Sequence, residues 1–185
     1  TNIAVAEHAR GTGTGRALGG HALDWARSEG YRAMQFNAVA ESNTRAVALY
    51  RQGAEAGHGE SQFYLAYMLL AGEGTKRNAS EAIRWYIRAA NQGDDEAMEE
   101  LARIYAEGDG VIQNDKEAAR WFALAAKQGL AEAQYQYGLV LLQGRGVVQD
   151  YKSGFSWIEK PAKRGHAKAQ YSLGELYRYG TGTEI

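Results

Sequence analysis

Residues 82–93 read AIRWYIRAANQG and residues 118–129 read AARWFALAAKQG, so two closely similar segments stand 36 residues apart. Self-similarity at a fixed period is the sequence signature of repeat architectures, in which each repeat is one small structural unit. The same period of 36 appears in Gly-x-Gly triplets at 72–74, 108–110, 144–146 and 180–182, and in single residues at Gly57, Gly93, Gly129, Gly165, Ala54, Ala90, Ala126, Ala162, Trp85, Trp121 and Trp157. Because independent columns agree on one period, the sequence predicts a solenoid of stacked units.

Each unit contains two apolar stripes with helical spacing. The first stripe includes Ala97, Leu101 and Tyr105, which are four and eight residues apart and therefore share one helix face. The second stripe follows each Gly-x-Gly triplet and includes Ala82 and Trp85. The unit is predicted to be a hairpin of two helices.

The ends of the second helix are marked by particular residue types. Asn78 and Glu81 have the spacing in which the asparagine caps free amides and the glutamate reaches back to the cap, and Asn114 and Glu117 repeat this pair. Each second helix is therefore predicted to begin at the residue after the cap. Gly93 and its equivalents occupy the position at which a left-handed turn ends a helix.

The pattern A-x-x-W-Y/F-x-x-A-A-x-Q-G resembles the second helix of the Sel1-like repeat, and the resemblance covers about residues 53–185. It implies a right-handed superhelix of helix pairs that acts as a scaffold for a protein or peptide partner bound on the repeat surface. The third copy departs from the pattern, because Gly154 and Pro161 replace alanines. A proline inside a helix removes a backbone donor, so we expect this helix to bend or end early.

Few side chains of the repeats carry an evident chemistry. The recurring tryptophans are expected to pack between repeats, and most tyrosines with them, although some tyrosines could instead line a peptide-binding groove. His58 and His166 are expected to face solvent in the turns, with metal binding or catalysis as the less favoured alternative. Arg84, Arg88 and Arg120 are expected to form a hydrated face.

Composition excludes several classes of function. The 185 residues include 21 Lys and Arg against 22 Asp and Glu, and no cysteine, so no disulfide, zinc ribbon or catalytic thiolate is available. The balanced charge gives no reason to expect a nucleic acid partner, and no apolar run approaches the roughly 20 residues that span a bilayer. We expect a cytoplasmic protein without a membrane partner, with the periplasm left open.

The first 41 residues follow a different pattern. Residues 3–6 and 34–39 are predicted to be short strands, and residues 18–26 a helix between them, which implies parallel strands joined by a right-handed crossover. A glycine-rich bend at residues 10–16 leads into this helix. Such a bend directs free backbone amides at one point and suits a pyrophosphate, which Arg10 and Arg16 could also bind.

Residues 3–51 resemble the second half of a GCN5-related N-acetyltransferase, with R-x-x-G-x-G in the glycine-rich bend and N-x-x-A-x-x-L-Y at residues 43–50. The resemblance implies that Tyr50 is the acid that protonates the departing thiolate. It also implies that acetyl-CoA is the cofactor and that the residues contacting it are Ile3, Val5, Arg10, Gly11, Thr12, Gly13, Thr14, Gly15, Arg16 and Asn43. For Tyr50, packing in a helix core is the alternative, because Tyr50 stands 36 residues before Tyr86. The strands that usually precede and follow this half are missing.

The expected fold is mainly α, an α-α superhelix of Sel1-like hairpins preceded by a small β-α-β-α acetyltransferase-like fragment. Ser42 stands 36 residues before Asn78, so the last helix of the fragment (1–52) is expected to be shared with the repeats (53–185), as in a natural or engineered fusion. The favoured function is an interaction scaffold with an incomplete acetyl-CoA-binding fragment. The alternatives are an N-acetyltransferase that moves an acetyl group from acetyl-CoA to an amine, and a protein that binds CoA or another phosphate ligand without catalysis. Because two strands alone leave unpaired edges, a homodimer through the incomplete sheet is also considered.

Overall fold

The computed structural model describes residues 34–182, with side chains from Glu41 onward. This part of the chain is helical and contains α1 (Met34–Glu55), α2 (Gly59–Ala71), α3 (Ala79–Asn91), α4 (Asp95–Glu107), α5 (Asp115–Gln128), α6 (Ala131–Gln143), α7 (Tyr151–Lys163) and α8 (Ala167–Tyr179). None of these helices is long and apolar enough to cross a membrane.

The predicted helix hairpins are confirmed. Helices α2, α4 and α6 each pack against the helix that follows them, and helices α1, α3, α5 and α7 pack against the first helix of the next unit. Trp85 and Trp121 are buried, and Trp157 packs edge-on against Tyr137 with ring centroids 5.4 Å apart. The tryptophans are therefore packing residues, as expected.

The predicted cap of the second helix forms in part: the asparagine accepts a hydrogen bond as expected, but the glutamate does not reach back to the backbone amide of the cap. The Asn78 side chain accepts a hydrogen bond of 3.1 Å from the Glu81 amide, and α3 begins at the next residue. The backbone amide of Asn78, however, donates to the Leu69 carbonyl at 2.8 Å, across the turn of the same unit. Glu81 instead accepts from the Asn78 side-chain amide at 3.2 Å. The cap residue therefore ties the second helix of its unit to the first.

Pro161 does not end its helix early, so this part of the expectation is wrong. α7 continues to Lys163, the same register position at which α3 ends. Pro161 lies in the last turn of α7, where its missing backbone N–H removes a single intrahelical hydrogen bond. The carbonyls of this turn have no intrahelical donor in any case, so they can accept from the residues that follow the helix. The Pro161 carbonyl accepts from the amides of Arg164 and His166, each at 3.0 Å.

The predicted strand at residues 34–39 is wrong, because these residues form the first turns of α1. A short apolar run fits a buried strand or a helix equally well, and a helix satisfies its backbone groups without a partner strand. Ser42 consequently lies inside α1 and is not a helix cap. The predicted strand at residues 3–6 and the predicted helix at residues 18–26 lie outside the described residues.

Candidate functional site

The junction between α1 and the repeats is formed by a glycine turn. Gly74 has a φ of +66°, and a Cβ built on it would lie 2.4 Å from the Asn43 carbonyl carbon, so only glycine fits here. Thr44 donates a hydrogen bond of 3.3 Å to the Gly74 carbonyl. Equivalent close approaches join Gly110 to Ala79, Gly146 to Asp115 and Gly182 to Tyr151. Asn43 is thus covered in the way that the first residue of each second helix is covered.

Glutamines link successive units by a second recurring contact. The Gln62 side chain donates to the Ala54 carbonyl at the end of α1, at 3.1 Å, and accepts from Gln92 at 2.7 Å. Gln134 donates to the Ala126 carbonyl, also at 3.1 Å. Gln62 and Gln134 are the buried polar residues of the described part of the chain. The side-chain oxygen of Gln134 accepts from Arg164, as that of Gln62 accepts from Gln92, so both ends of each side-chain amide are hydrogen-bonded. The contact made by α1 is the same as the contact made by α5.

Tyr50, the predicted catalytic acid, lies half-buried on α1 and faces the repeats. Its ring stacks on that of Tyr64 in α2, with centroids 5.3 Å apart and an interplanar angle of 25°. Burial, followed by the charge of Glu60, raises the pKa of the Tyr64 hydroxyl. The structure therefore gives Tyr50 a packing contact, while its catalytic role stays a prediction.

The remaining residues predicted to contact acetyl-CoA precede residue 34 and lie outside the described residues. Of the predicted set, the structure describes Asn43 and Tyr50, which are on the same helix. Both make contacts with the first repeat, through Gly74 and Tyr64 respectively. Their predicted contacts with acetyl-CoA stay a prediction.

A groove of about 400 Å³ lies between the first helices of two successive units, α4 and α6, and its floor includes residues of α5. Apolar side chains contribute to its lining, including Phe122, Leu139 and Val140. The charged residues that line it are Glu99, Glu100, Arg103, Glu107, Asp115, Glu132 and Arg145. The groove therefore combines an apolar surface with an excess of carboxylates.

Both arginines of the groove are already paired. Arg103 binds Glu100 and Glu107, each at 2.8 Å, and Arg145 binds Asp115 at 3.0 Å. Pairs with this much solvent exposure contribute little to stability, but they fix the directions of both guanidinium groups. The arginines are consequently not free to neutralise a further carboxylate.

Glu132 is held from the side of the next unit. Burial raises the pKa of its carboxyl, but hydrogen bonds from Gln136, Lys168 and His166 outweigh burial, so the pKa lies below its ordinary value. The His166 Nε2 is 3.0 Å from the carboxylate, and the Lys168 Nζ is 3.3 Å away. Glu132 therefore remains ionised and locally paired.

Glu99 has a different environment. It lies half-buried on α4, and among the described residues no lysine, arginine or histidine lies within ion-pair distance of it. Burial raises the pKa of its carboxyl, and the charges of Glu132, Glu100, Asp95 and Glu96 raise it further. Glu99 is therefore a half-buried carboxylate without an ion-pair partner in the described part of the chain, and the neighbouring carboxylates raise its pKa.

The histidines of the turns differ from each other. His58 is exposed, as expected. His166 caps α8, because its Nδ1 accepts from the Ala169 amide at 3.2 Å, and its side chain is only 19% exposed, so the expectation of a solvent-facing residue is wrong. A neutral His166 then carries its proton on Nε2 and donates to Glu132. No group of three potential metal ligands occurs among the described residues.

The exposed cations of the second helices do more than face water. Arg88 lies over the Trp85 ring at 4.4 Å from its centroid, and Arg120 lies over the Trp121 ring at 5.1 Å. Lys160, like Arg88, stands three residues after its tryptophan and lies over the Trp157 ring at 3.7 Å from its centroid. These cations cover the tryptophans from solvent by cation–π contacts.

Two features were not predicted from the sequence. The glutamine links could have been found, because three of the four equivalent positions 62, 98, 134 and 170 are glutamines. The exception is Met98. The groove could not, because Glu99 has tyrosines, not carboxylates, at its equivalent positions Tyr135 and Tyr171. A site that occurs once in a repeat protein gives no periodic pattern.

These observations define a helix-hairpin repeat protein with an acidic groove between two of its units. The chain belongs to the Sel1 repeat family, whose model matches residues 59–94, 95–130, 131–166 and 167–184. The model of the acetyltransferase (GNAT) family matches residues 1–54, so both predicted resemblances are confirmed. Comparison with the curated proteins found no match.

Solved structures with the same fold include a Sel1 repeat protein from Oxalobacter formigenes, with 34% identity and a TM-score of 0.67 over 77% of this chain and 42% of that chain. A protective antigen present in uropathogenic Escherichia coli strains, which displays an SLR fold, has 39% identity and a TM-score of 0.65 over 75% of this chain and 30% of that chain. Helicobacter pylori cysteine rich protein B has 18% identity and a TM-score of 0.57, covering 73% of this chain and 97% of that chain, and shares the fold. The chain spans less than half the length of the first two.

Proposed function

We propose that the chain is a protein-binding scaffold, and that a protein or peptide segment binds in the groove between α4 and α6. The observation that carries this proposal is the groove itself, which has a volume of about 400 Å³ and is lined by both apolar and charged residues. Recognition sites for peptides on helical repeats combine such surfaces, in which apolar contacts supply affinity and charges supply specificity.

The packing of the repeats supports a rigid groove. Phe122 and Val140, which line it, also belong to the core, so the groove surface continues into close-packed side chains. Arg103 and Arg145 are each paired with carboxylates. A preformed site loses less conformational entropy on binding than a mobile one, so even a short segment could bind there.

A library of random dodecamer peptides displayed on phage, selected against the immobilised chain, tests the proposal. Enriched peptides should bind the wild type and lose binding to Gln143→Trp, which places a large ring at the groove edge. Ile112→Trp is the matched control, because Ile112 is 92% exposed and is not among the residues that line the groove. Selection of no peptide, or equal binding to both variants, would contradict the proposal.

The second candidate function is the N-acetyltransferase reaction, and the observation that favours it is the family match over residues 1–54. In this reaction acetyl-CoA would supply the acetyl group. Tyr50 would then donate its proton to the thiolate, and Asn43 would contact the cofactor. Calorimetric titration with acetyl-CoA tests this function. Heat of binding that weakens for Arg10→Ala would support CoA binding, and an acyl-transfer assay would then separate catalysis from binding alone. No heat at millimolar cofactor would eliminate both.

We also propose that α1 is shared between the two matched families. Its residues 43–54 fall inside the acetyltransferase match, yet they make the turn contact at Gly74 and the glutamine contact at Gln62 that second helices of the repeat make. In the arrangement we propose, the superhelix begins at Asn43 and the fragment takes the place of the opening helix of the first hairpin. A homodimer, which the sequence analysis also considered, would appear as twice the monomer mass in light scattering.

A further inference from the structure

We propose that the groove between α4 and α6 selects a basic segment, one that presents a lysine or arginine to Glu99 and an apolar side chain to the surface around Phe122. This inference rests on the proposed function, and it adds the chemical class of the partner. It uses residues of complete repeats within the described part of the chain.

The side chains that line the groove carry an excess of negative charge. Five carboxylates line the groove and two arginines line it with them, which leaves an excess of three negative charges. Lys168 reaches Glu132 from the following unit and reduces this excess by one. A negative potential in a recess with apolar walls attracts cations and repels acidic segments.

Among the described residues, Glu99 is the carboxylate of the groove that has no ion-pair partner. The other carboxylates all have an ion-pair partner, although Glu100 and Glu107 share one: both bind Arg103, while Asp115 binds Arg145 and Glu132 binds Lys168. Glu99 has none of these, although it is half-buried and stands among other carboxylates. A half-buried charge without a partner loses hydration, so an incoming ammonium or guanidinium group would relieve both burial and repulsion.

Apolar side chains lie beside the carboxylates in the groove. Phe122 and Val140 are 8% and 7% exposed, so they offer only a shallow surface beside the carboxylates. The methylene stem of a lysine or arginine can lie along such a surface while its charged end reaches a carboxylate. A basic residue beside an apolar residue therefore matches the lining better than either one alone.

The experiment uses the phage library in parallel selections against the wild type, Glu99→Gln and Glu99→Lys. We expect lysine or arginine to be enriched at one position beside an apolar residue with the wild type, and the enrichment to disappear with Glu99→Gln. Glu99→Lys should instead enrich aspartate or glutamate at that position. This reversal cannot result from misfolding, because an unfolded variant would select no such pattern.

Binding of one selected peptide, measured by fluorescence anisotropy, gives the magnitude. Glu99→Gln should raise the Kd at least about tenfold, as loss of a charge-assisted hydrogen bond predicts. Glu60→Gln is the control, because Glu60 is an exposed carboxylate outside the groove, and it should leave the Kd unchanged. A peptide in which glutamate replaces the lysine should bind Glu99→Lys and not the wild type.

The outcomes separate this inference from the proposed function. Peptides that lose binding to Gln143→Trp but show no basic preference, or that bind Glu99→Gln equally well, would overturn the basic-segment inference and leave the scaffold standing. Enrichment of acidic peptides by the wild type would also overturn it. Selection of no peptide at all would remove both.

Discussion

Replacement of Gly74 by alanine should separate α1 from the repeats, and its cost can be worked out from the structure. Gly74 has a φ of +66°, at which an alanine costs about 1–2 kcal/mol in backbone strain. The added Cβ would also lie 2.4 Å from the Asn43 carbonyl carbon. Because the atoms in its path belong to backbone, they cannot move aside cheaply, and such overpacking costs about 1–3 kcal/mol more. The expected total is about 2–5 kcal/mol.

Gly57→Ala is the matched control. Gly57 also has a positive φ, of +95°, but a Cβ built on it would meet nothing within 4 Å. It should therefore lose only the strain, about 1–2 kcal/mol. Urea unfolding followed by circular dichroism measures both losses, and hydrogen exchange shows whether the amides of α1 lose protection in Gly74→Ala. Equal losses for the two variants, with α1 still protected, would refute the close docking of α1.

Three further predictions concern single side chains. Gln134→Met should lower the unfolding free energy by less than about 1.5 kcal/mol, because Met98 occupies the equivalent position, whereas Gln134→Ala should cost about 2 kcal/mol or more in urea unfolding. Glu99→Gln should stabilise the chain by about 0.5 kcal/mol near pH 7 in thermal melts. Because folding raises the pKa of the Glu99 carboxyl, this group stabilises the wild type below its unfolded pKa, and that stability is lost as pH rises through the folded pKa. The stability gained by Glu99→Gln should therefore vanish near about pH 3, where glutamate and glutamine are both neutral. Tyr50→Phe should change the unfolding free energy by less than about 0.5 kcal/mol, since the ring stacked on Tyr64 is kept, and any acetyl transfer measured by thiol release should fall sharply if the hydroxyl is the acid.

The repeats could be predicted because each unit restates the same packing requirements. Asn78 is followed by a helix start, and the tryptophans fall on buried stripes, as their spacing indicated. The errors came at positions where the register was right but the local context differed. Pro161 lies two residues before the end of α7, so the helix loses one hydrogen bond in its last turn and keeps those of the earlier turns. Ser42 has the register of a cap, but α1 begins eight residues earlier, at Met34.

The groove and the junction could not be predicted for different reasons. The groove depends on side chains from three helices, and its central carboxylate, Glu99, is not repeated in other units. The junction was suggested by the register of Tyr50 and Tyr86, but the contacts that form it involve the backbone of Gly74 and the amide of Gln62. Close backbone approaches of this kind follow from the stacking of units, which a single sequence does not show residue by residue.

The most direct test of the scaffold is the location of a bound peptide. Backbone amide NMR shifts of the 185-residue chain, recorded with a phage-selected peptide, map the site without relying on a mutation. We predict shift changes concentrated in α4 and α6 around Glu99 and Gln136, with little change in α1 and α8. Changes concentrated at the exposed surfaces of α3 and α7, with none along the groove, would contradict the central claim.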